Sequence, residues 1–168
     1  MSKSNTTLVL VGLIFIIFIG GGYYFLCSQA AKNIQVVVSS YDCDYDDNYK
    51  VDVDIQIRNT VKIAVILSEQ SIRLYILASD FGKKEFEDDW IKLDGGETET
   101  FSGTWILLSS TESEILNKFE PASSDEHNII VFYKAKVKSG IYTGYIETNY
   151  HTSFNRKLTK NELQQLGY

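Results

Sequence analysis

The feature that most constrains this sequence is an uncharged apolar segment near the amino terminus. Residues 8–26, LVLVGLIFIIFIGGGYYFL, are nineteen consecutive residues without a charge. As an α-helix at about 1.5 Å per residue, the segment spans roughly 28 Å, close to the hydrocarbon thickness of a bilayer. We therefore predict a transmembrane signal anchor at residues 8–27, preceded by a short cytoplasmic amino terminus at residues 1–7.

The charges on either side of this segment predict its orientation. Lys3 and the terminal amine precede it, whereas a single Lys32 follows it before the first aspartates. Cytoplasmic flanks of membrane helices carry the excess of basic residues, so the amino terminus is expected in the cytoplasm. The prediction is a single-pass protein of the cell membrane with its carboxy-terminal domain extracytoplasmic and with Tyr23 and Tyr24 at the outer headgroup level.

A cleaved signal peptide is the alternative interpretation of the same segment. Ser28-Gln29-Ala30 resembles a small-x-small cleavage site after a hydrophobic stretch. The apolar run exceeds the roughly 7 to 15 residues of an ordinary signal core, which favours the anchor. Cleavage would release a secreted domain, and in both cases the rest of the chain leaves the cytoplasm.

The charge of that remaining part excludes one class of partner. Lys3 is the only charged side chain before residue 31, so fifteen basic residues face twenty-two acidic residues after it. An acidic domain repels the phosphates of nucleic acids. We therefore expect no nucleic-acid partner.

The two cysteines do not form a disulfide framework. Cys27 lies at the predicted membrane boundary and Cys43 sixteen residues further on. Two interpretations of Cys43 stay open, an unpaired thiol and an intermolecular disulfide in an oxidising compartment.

Beyond a short stalk at residues 28–33, the sequence alternates as β-strands do. Residues 50–58 place valine and isoleucine at every second position and polar residues between them, which predicts a strand with one buried face. Apolar runs separated by turn residues predict six more strands, at residues 34–41, 62–68, 71–79, 101–110, 128–140 and 141–154. Residues 80–89 are expected to form a turn and a polar loop.

Two capping boxes predict short helices. Thr111 with Glu114 begins one at residues 111–121, and Thr159 with Glu162 begins another at residues 159–168. About seven short strands with turn signals between them favour an all-β fold, an immunoglobulin-like antiparallel β-sandwich at residues 34–158.

Several turn motifs carry a resemblance to a known family. One strand ends in Asn59-Thr60, a turn contains Asp80, Gly82 and Lys83, and a G-E-T turn at residues 96–98 leads into Ser102-Gly103. This order resembles signal-anchored or lipidated extracytoplasmic immunoglobulin-like domains related to the Mpt-type immunoprotective antigens. It is also similar to late-embryogenesis-abundant type two domains and F-x-L-Y-D domains. Gly95 departs from the family pattern, which has proline there, and the Asp80 turn is one residue short.

The resemblance implies binding or scaffolding outside the cell, without a cofactor. The leading prediction is therefore a non-enzymatic membrane-anchored module that binds an unknown protein partner at the cell surface or envelope. An accessory subunit of a membrane complex is an alternative, because Gly12 and the glycines at residues 20–22 permit close approach of another helix. A secreted domain after signal cleavage is a further alternative.

A cluster of aspartates is the nearest match to a metal site. D-x-D-x-D opens a calcium-binding loop of the EF-hand type, but position six lacks the required glycine and position twelve is Val53 in place of glutamate. A solvated hairpin loop is therefore preferred over a weak Ca²⁺ candidate formed by Asp42, Asp44, Asp46 and Asp47.

A row of lysines alternates with apolar residues in the strand at residues 128–140. One interpretation is protection of an exposed sheet edge, and the other is a basic strip for an acidic partner. The candidate interaction surface consists of Lys134, Lys136 and Lys138.

Nothing in the sequence assembles a catalytic or zinc site. The two histidines, His127 and His151, lack metal-ligand spacing, and no nucleophile elbow is present. The aromatic residues near the last strand are interpreted as core and cross-strand pairs, with a partner surface as the alternative; they are Tyr142, Tyr145, Tyr150 and Phe154.

Overall fold

The described part of the protein consists of a long amino-terminal helix, two β-sheets and a short helix near the carboxy-terminal end. The computed structural model describes residues 3–44, 50–76, 79–86, 90–106 and 129–168, without the side chains of residues 3–9, 43, 44 and 79. Its elements are α1 (Lys3–Lys32), β1 (Ile34–Asp44), β2 (Lys50–Asn59), β3 (Val65–Ile76), β4 (Ser79–Phe86), β5 (Ile91–Leu93), β6 (Thr98–Ile106), β7 (Ile129–Ser139), β8 (Tyr142–His151) and α2 (Lys160–Gln165).

Helix α1 is long and apolar enough to cross a membrane, over Leu10–Lys32. Its large apolar side chains between Leu10 and Leu26 are 46% to 75% exposed. The helix runs to Lys32, so most of the segment assigned to a stalk is helical. Its last turns are the part that the domain covers, since the small residues Cys27, Ala30 and Ala31 are buried.

The two sheets are antiparallel and share one hydrophobic core. One sheet has the order β1-β2-β6, and the other has the order β4-β3-β7-β8 with β5 beside β3. The alternation predicted at residues 50–58 is confirmed, because every second residue of β2 is buried. The inward side chains of both sheets contact one another in this core, so the protein is mostly antiparallel β-sheet with one amino-terminal apolar helix.

Three sequence predictions need correction. Two strands predicted as separate are continuous: residues 65–68 and 71–76 belong to one strand, β3, because a β-bulge between Ser68 and Ser71 absorbs one extra residue. Residues 80–86 of the predicted turn and loop belong to β4, where Gly82, at φ +92°, lies beside a second register shift. Strand β1 extends to Asp44, so the acidic stretch begins within a strand.

The capping box predicted at Thr159 is confirmed. The Thr159 hydroxyl accepts a hydrogen bond from the Glu162 amide, and the Glu162 carboxylate accepts one from the Thr159 amide at 2.8 Å. This capping box begins α2 at Lys160. The helix predicted at residues 111–121 lies outside the described residues.

A buried asparagine links three segments at one end of the domain. Asn59 is fully buried, and its amide nitrogen lies 2.8 to 3.2 Å from three backbone carbonyl oxygens, those of Ile63, Leu93 and Asp94. Its backbone also pairs with Gly96 and Glu97. The Asn-Thr motif therefore fixes the β2–β3 connection against the turn before β6.

The same turn requires a glycine at position 95. A Cβ atom at Gly95 would lie 2.5 Å from the Cα atom of Lys62, in the β2–β3 connection. The main chains approach so closely there that only glycine fits without displacement.

Helix α1 contacts the turn between β7 and β8. Gly140 has φ +53°, and a Cβ atom there would lie 2.5 Å from the Tyr23 hydroxyl and 2.8 Å from the Cys27 sulfur. The rings of Tyr24 and Tyr142 meet edge to face, with centroids 5.6 Å apart. The junction therefore depends on the missing side chain at Gly140.

Gly140→Ala is expected to destabilise the domain more than Gly96→Ala. Both positions have positive φ, which costs an L-residue about 1–2 kcal/mol. Only the methyl group added by Gly140→Ala would also press against α1, and this overpacking adds roughly 1–3 kcal/mol. Urea unfolding of the full chain in detergent micelles measures the difference. Equal losses for the two variants would show that α1 does not pack against the turn.

Asn59→Ala is expected to lower the free energy of unfolding by about 3 kcal/mol, because buried carbonyl oxygens lose their donor. The same urea titration measures it, with the exposed Gln35→Ala in β1 as control, where about 0.5 kcal/mol or less is expected. A loss at Asn59 no larger than the control would contradict the linking role.

Candidate functional site

The lysine row lies in the middle of the larger sheet. Strand β7 pairs with β3 on one side and with β8 on the other, so the interpretation of these lysines as protection of a sheet edge is wrong. They alternate with buried residues and therefore share the outer face of the five-stranded sheet; the three are Lys134, Lys136 and Lys138.

Two of these lysines form ion pairs across the sheet. The Lys134 ammonium lies 2.9 Å from the Glu147 carboxylate on β8, and the Lys136 ammonium lies 2.6 Å from the Glu69 carboxylate on β3. All four side chains are substantially exposed, so water and salt screen each pair and it contributes little to stability. These ion pairs position the charged groups on the outer face of the larger sheet, and they contribute little to holding its strands together.

The bulge in β3 places Glu69 over this row. Glu69 has φ +48°, an unusual conformation for a residue other than glycine. Its carboxylate accepts hydrogen bonds from Lys136 and, at 2.8 Å, from the Tyr145 hydroxyl. The bond from Lys136, followed by that from Tyr145, lowers the pKa of Glu69. The carboxylate is therefore charged and positioned by three strands.

Next to the lysines, the same face contains a cleft of about 490 Å³ with aromatic walls. Tyr75 of β3 meets Phe132 of β7 edge to face at 5.6 Å, and it meets Tyr168 at the carboxy terminus at 5.5 Å. We call this space the aromatic cleft; its lining includes Arg73, Tyr75, Phe132, Lys134, Glu147 and Tyr168.

Arg73 adds a fixed cation to the aromatic cleft. Its guanidinium lies 5.3 Å from the centre of the Tyr75 ring and pairs with the Asp80 carboxylate on β4. The hydrogen bond from Arg73 lowers the pKa of Asp80, and the Gly82 amide donates a further bond to that carboxylate. Arg73 is thus held in place while half of its side chain stays exposed.

The side chains that line the aromatic cleft are of types common in binding sites. Tyrosine and arginine side chains with one polar end are the residues that dominate binding at protein interfaces. Its volume lies within the roughly 300–1,000 Å³ of ordinary ligand pockets. The cleft offers a ligand ring faces, the basic side chains Arg73 and Lys134, and the Glu147 carboxylate.

The sequence does not predict this cleft, although it contains one signal of it. In β3, Arg73 and Tyr75 alternate with buried apolar residues, so the period of two places both on the outer face. The pairing of β3 with β7 and the position of Tyr168 are long-range contacts that periodicity does not contain.

Of the four aspartates of the calcium candidate, two lie in a described strand and two lie outside the described part of the chain. Asp42 lies in β1 directly opposite Asp52 of β2, and the backbone of Asp44 continues the same strand. Both therefore lie in a strand and not in the expected loop. Asp46 and Asp47 lie outside the described residues, so the calcium candidate stays a prediction.

Asp52 and Asp54 lie on the outer face of the smaller sheet, as their alternation predicts. Asp54 accepts hydrogen bonds at 2.6 Å from Ser40 on one side and from Ser102 on the other. The bonds from Ser102 and Ser40 lower its pKa. This carboxylate is therefore occupied in cross-strand hydrogen bonding.

Metal-ligating residues do not come together where the chain is described: those ranges contain no group of three or more His, Cys, Asp or Glu suited to a metal. His127 lies outside them. His151 is 2% exposed and packs against the tilted ring of Phe154, with ring centroids 4.7 Å apart. Its Nδ1 atom is buried without a described hydrogen-bond partner.

The four aromatic residues near the last strand have separate surroundings. Tyr142 packs on Tyr24 of α1, and Tyr150 is buried with its hydroxyl bonded to Asn155. Tyr145 is exposed and bonded to Glu69, whereas Phe154 follows the strand and covers His151. They do not form one aromatic surface.

Comparison with known proteins does not assign a family. Neither a family model nor a curated protein matches the sequence. One similar solved structure is a protein from Archaeoglobus fulgidus, with 10% identity, 76% of this chain and 97% of the other covered, and a TM-score of 0.41. Another is the putative ApaA protein from Bordetella pertussis, with 8% identity, 72% and 94% coverage, and a TM-score of 0.44.

A putative late embryogenesis abundant protein is also similar, at 11% identity, with 92% of this chain and 86% of the other covered and a TM-score of 0.35. Identities this low carry no activity from one protein to another. The immunoglobulin-like family and the relation to Mpt-type antigens stay predictions.

The unfolding free energy is expected to fall below pH 6.5 because of His151. Burial lowers the pKa of His151 below its ordinary value of 6.5. Between the lowered pKa and 6.5, the unfolded chain binds more protons than the folded chain, so acid favours unfolding by up to about 1.4 kcal/mol per pH unit.

His151→Phe is expected to remove this slope in urea titrations between pH 7 and pH 5. His127 is present in both chains, so the difference between them reports His151 alone. Identical slopes for the two chains would contradict a buried neutral imidazole.

Proposed function

We propose that this protein is a non-enzymatic, single-pass membrane module whose domain stands outside the membrane and binds or organises another component of the cell surface or envelope. The observation that carries the proposal is the division of α1. Its first part exposes large apolar side chains along its length, whereas its last turns are buried in the domain. An anchor joined to its domain through a packed junction requires this arrangement, with lipid covering the first part.

The packing of α1 favours retention over cleavage. Ser28 and Ala30, the residues of the small-x-small motif, are both buried. Their small size is explained by close packing against the domain, and a protease would have to open that junction to reach the bond. The anchored protein is therefore preferred over the secreted domain.

An immunoglobulin-like sandwich is the finer fold that we propose. In constant-type immunoglobulin domains, the first, second and fifth strands share one sheet, and the third, sixth and seventh form the other. The orders β1-β2-β6 and β4-β3-β7-β8 are compatible with this arrangement when β5 is counted as an extra strand. The difference from the constant-type domain is that β4 pairs with β3 and does not join the smaller sheet.

The aromatic cleft and the neighbouring lysines form the proposed partner-binding face. The cleft combines Tyr75, Arg73 and Phe132, residue types enriched where binding energy concentrates. A protein segment with an apolar side chain for the rings and a carboxylate for the basic residues fits this chemistry. No catalytic role is needed to account for it.

Photo-cross-linking in the cells that carry the protein tests the proposal. A benzoylphenylalanine at Phe132 is expected to give a discrete cross-linked product, whereas the same group at Thr100, exposed on β6 of the smaller sheet, is expected to give none. Tyr75→Ala is expected to lower the yield at position 132 by about tenfold, which corresponds to about 1.4 kcal/mol of binding.

Orientation is measured with the same cells. Thr100→Cys in a Cys43→Ser background is expected to react with a membrane-impermeant maleimide before permeabilisation. Maleimide labelling of position 100 only after permeabilisation would contradict the proposed function. Equal cross-linking from benzoylphenylalanine at positions 132 and 100 would also contradict it.

A further inference from the structure

The turn between β7 and β8 reaches back along α1 towards the apolar part of the helix. Its Gly140 lies against Tyr23 and Cys27, whereas the helix ends only at Lys32. Nine residues separate Tyr23 from Lys32, or about 13 Å at 1.5 Å per residue. The turn is therefore level with the outer end of the apolar segment, well below the point where the chain enters β1.

The tip of this turn carries an exposed apolar side chain. Ile141 is 61% exposed, although the residue before the turn, Ser139, is buried and donates a hydrogen bond to the Ala64 carbonyl at 3.0 Å. A branched aliphatic side chain at the tip of a tight turn has no role in the domain core. It is not isolated, because the turn packs beside Tyr23 and Tyr24 of α1, which are also about half exposed, and a contiguous apolar patch of this kind marks an interaction site.

Ile141 lies in an uncharged stretch of the sequence. Residues 139–146, SGIYTGYI, form an uncharged run between Lys138 and Glu147 in a domain that is otherwise rich in charged residues. On the side of α1, the nearest rings are those of Tyr23 and Tyr24, at the end of the uncharged segment. Tyrosine is the side chain that membrane proteins place at the headgroup level.

We propose that the β7–β8 turn is a second membrane contact, in which Ile141 inserts into the headgroup and upper acyl region of the outer leaflet beside the tyrosines of α1. The occupant is the lipid bilayer itself, because the turn is packed against the segment that lipid must cover. Lys138, exposed on β7 just before the turn, lies where it reaches anionic headgroups. This inference rests on the membrane placement in the proposed function.

The contact has a mechanical consequence. A domain tied to the membrane only through one helix end can tilt about that end. With the turn also in the lipid, the domain is held at two points, α1 and Ile141, and the packing of Gly140 on Tyr23 keeps these points together.

Depth-dependent fluorescence quenching tests the inference. The full chain, with Cys27→Ser and Cys43→Ser, receives Ile141→Cys labelled with a nitrobenzoxadiazole group in nanodiscs of phosphatidylcholine and phosphatidylglycerol. The matched control is Glu147→Cys, exposed six residues further along the same hairpin. At position 141 we expect blue-shifted emission, strong quenching by headgroup nitroxide lipids and weak quenching by aqueous iodide, with the reverse at position 147.

Quenching by iodide that is as strong at position 141 as at position 147 would overturn the inference. Alkaline carbonate washing of native membranes separates this result from a failure of the proposed function. A chain that stays in the membrane while position 141 is aqueous refutes only the turn contact, whereas a chain that is washed off refutes the anchor itself. Near-UV circular dichroism confirms that both labelled variants are folded.

Discussion

The last turns of α1 continue a helix whose earlier part exposes large apolar side chains, and they also form part of the core of the domain. Small side chains allow both, since Cys27, Ala30 and Ala31 let the helix approach the hairpin without a cavity or a clash. The glycine at position 140 completes this contact from the other side. Strand β1 begins directly after α1, and Thr60 donates a hydrogen bond to the Asn33 carbonyl at 2.7 Å between them. The position of the first strand, and with it the smaller sheet, depends on this junction.

The bulge in β3 connects the core of the domain to its proposed binding face. The extra residue directs Glu69 outward to Lys136 and Tyr145, and it leaves its neighbour Gln70 inside, where Gln70 accepts a hydrogen bond from the buried Tyr133 hydroxyl at 2.7 Å. Burial raises the pKa of Tyr133, so this hydroxyl stays a donor. One irregularity therefore satisfies a polar pair in the core and organises charge on the surface.

The sequence predicts local structure well and long-range arrangement poorly. The alternation in β2 and the capping box at Thr159 depend on neighbouring residues, and the structure contains both. In the sequence, the bulge at Glu69 is indistinguishable from a strand boundary, because an extra residue breaks a period of two in the same way that a turn does. The central position of β7 and the aromatic cleft depend on which strands pair, and no local pattern contains that information. For this reason the alternating lysines fit an edge strand as well as a central one, and the sequence does not place Tyr75 beside Phe132.

Strand β7 also sets a distance. Eight residues separate Gly140, at the turn beside α1, from Phe132 in the aromatic cleft, which is roughly 26 Å of extended chain at about 3.3 Å per residue. Because β7 is paired on both sides, this length does not flex as a linker would. Under the proposal that the turn lies at the bilayer surface, β7 would hold the cleft at a fixed distance from the membrane, and a partner would have to present its contact site at that distance.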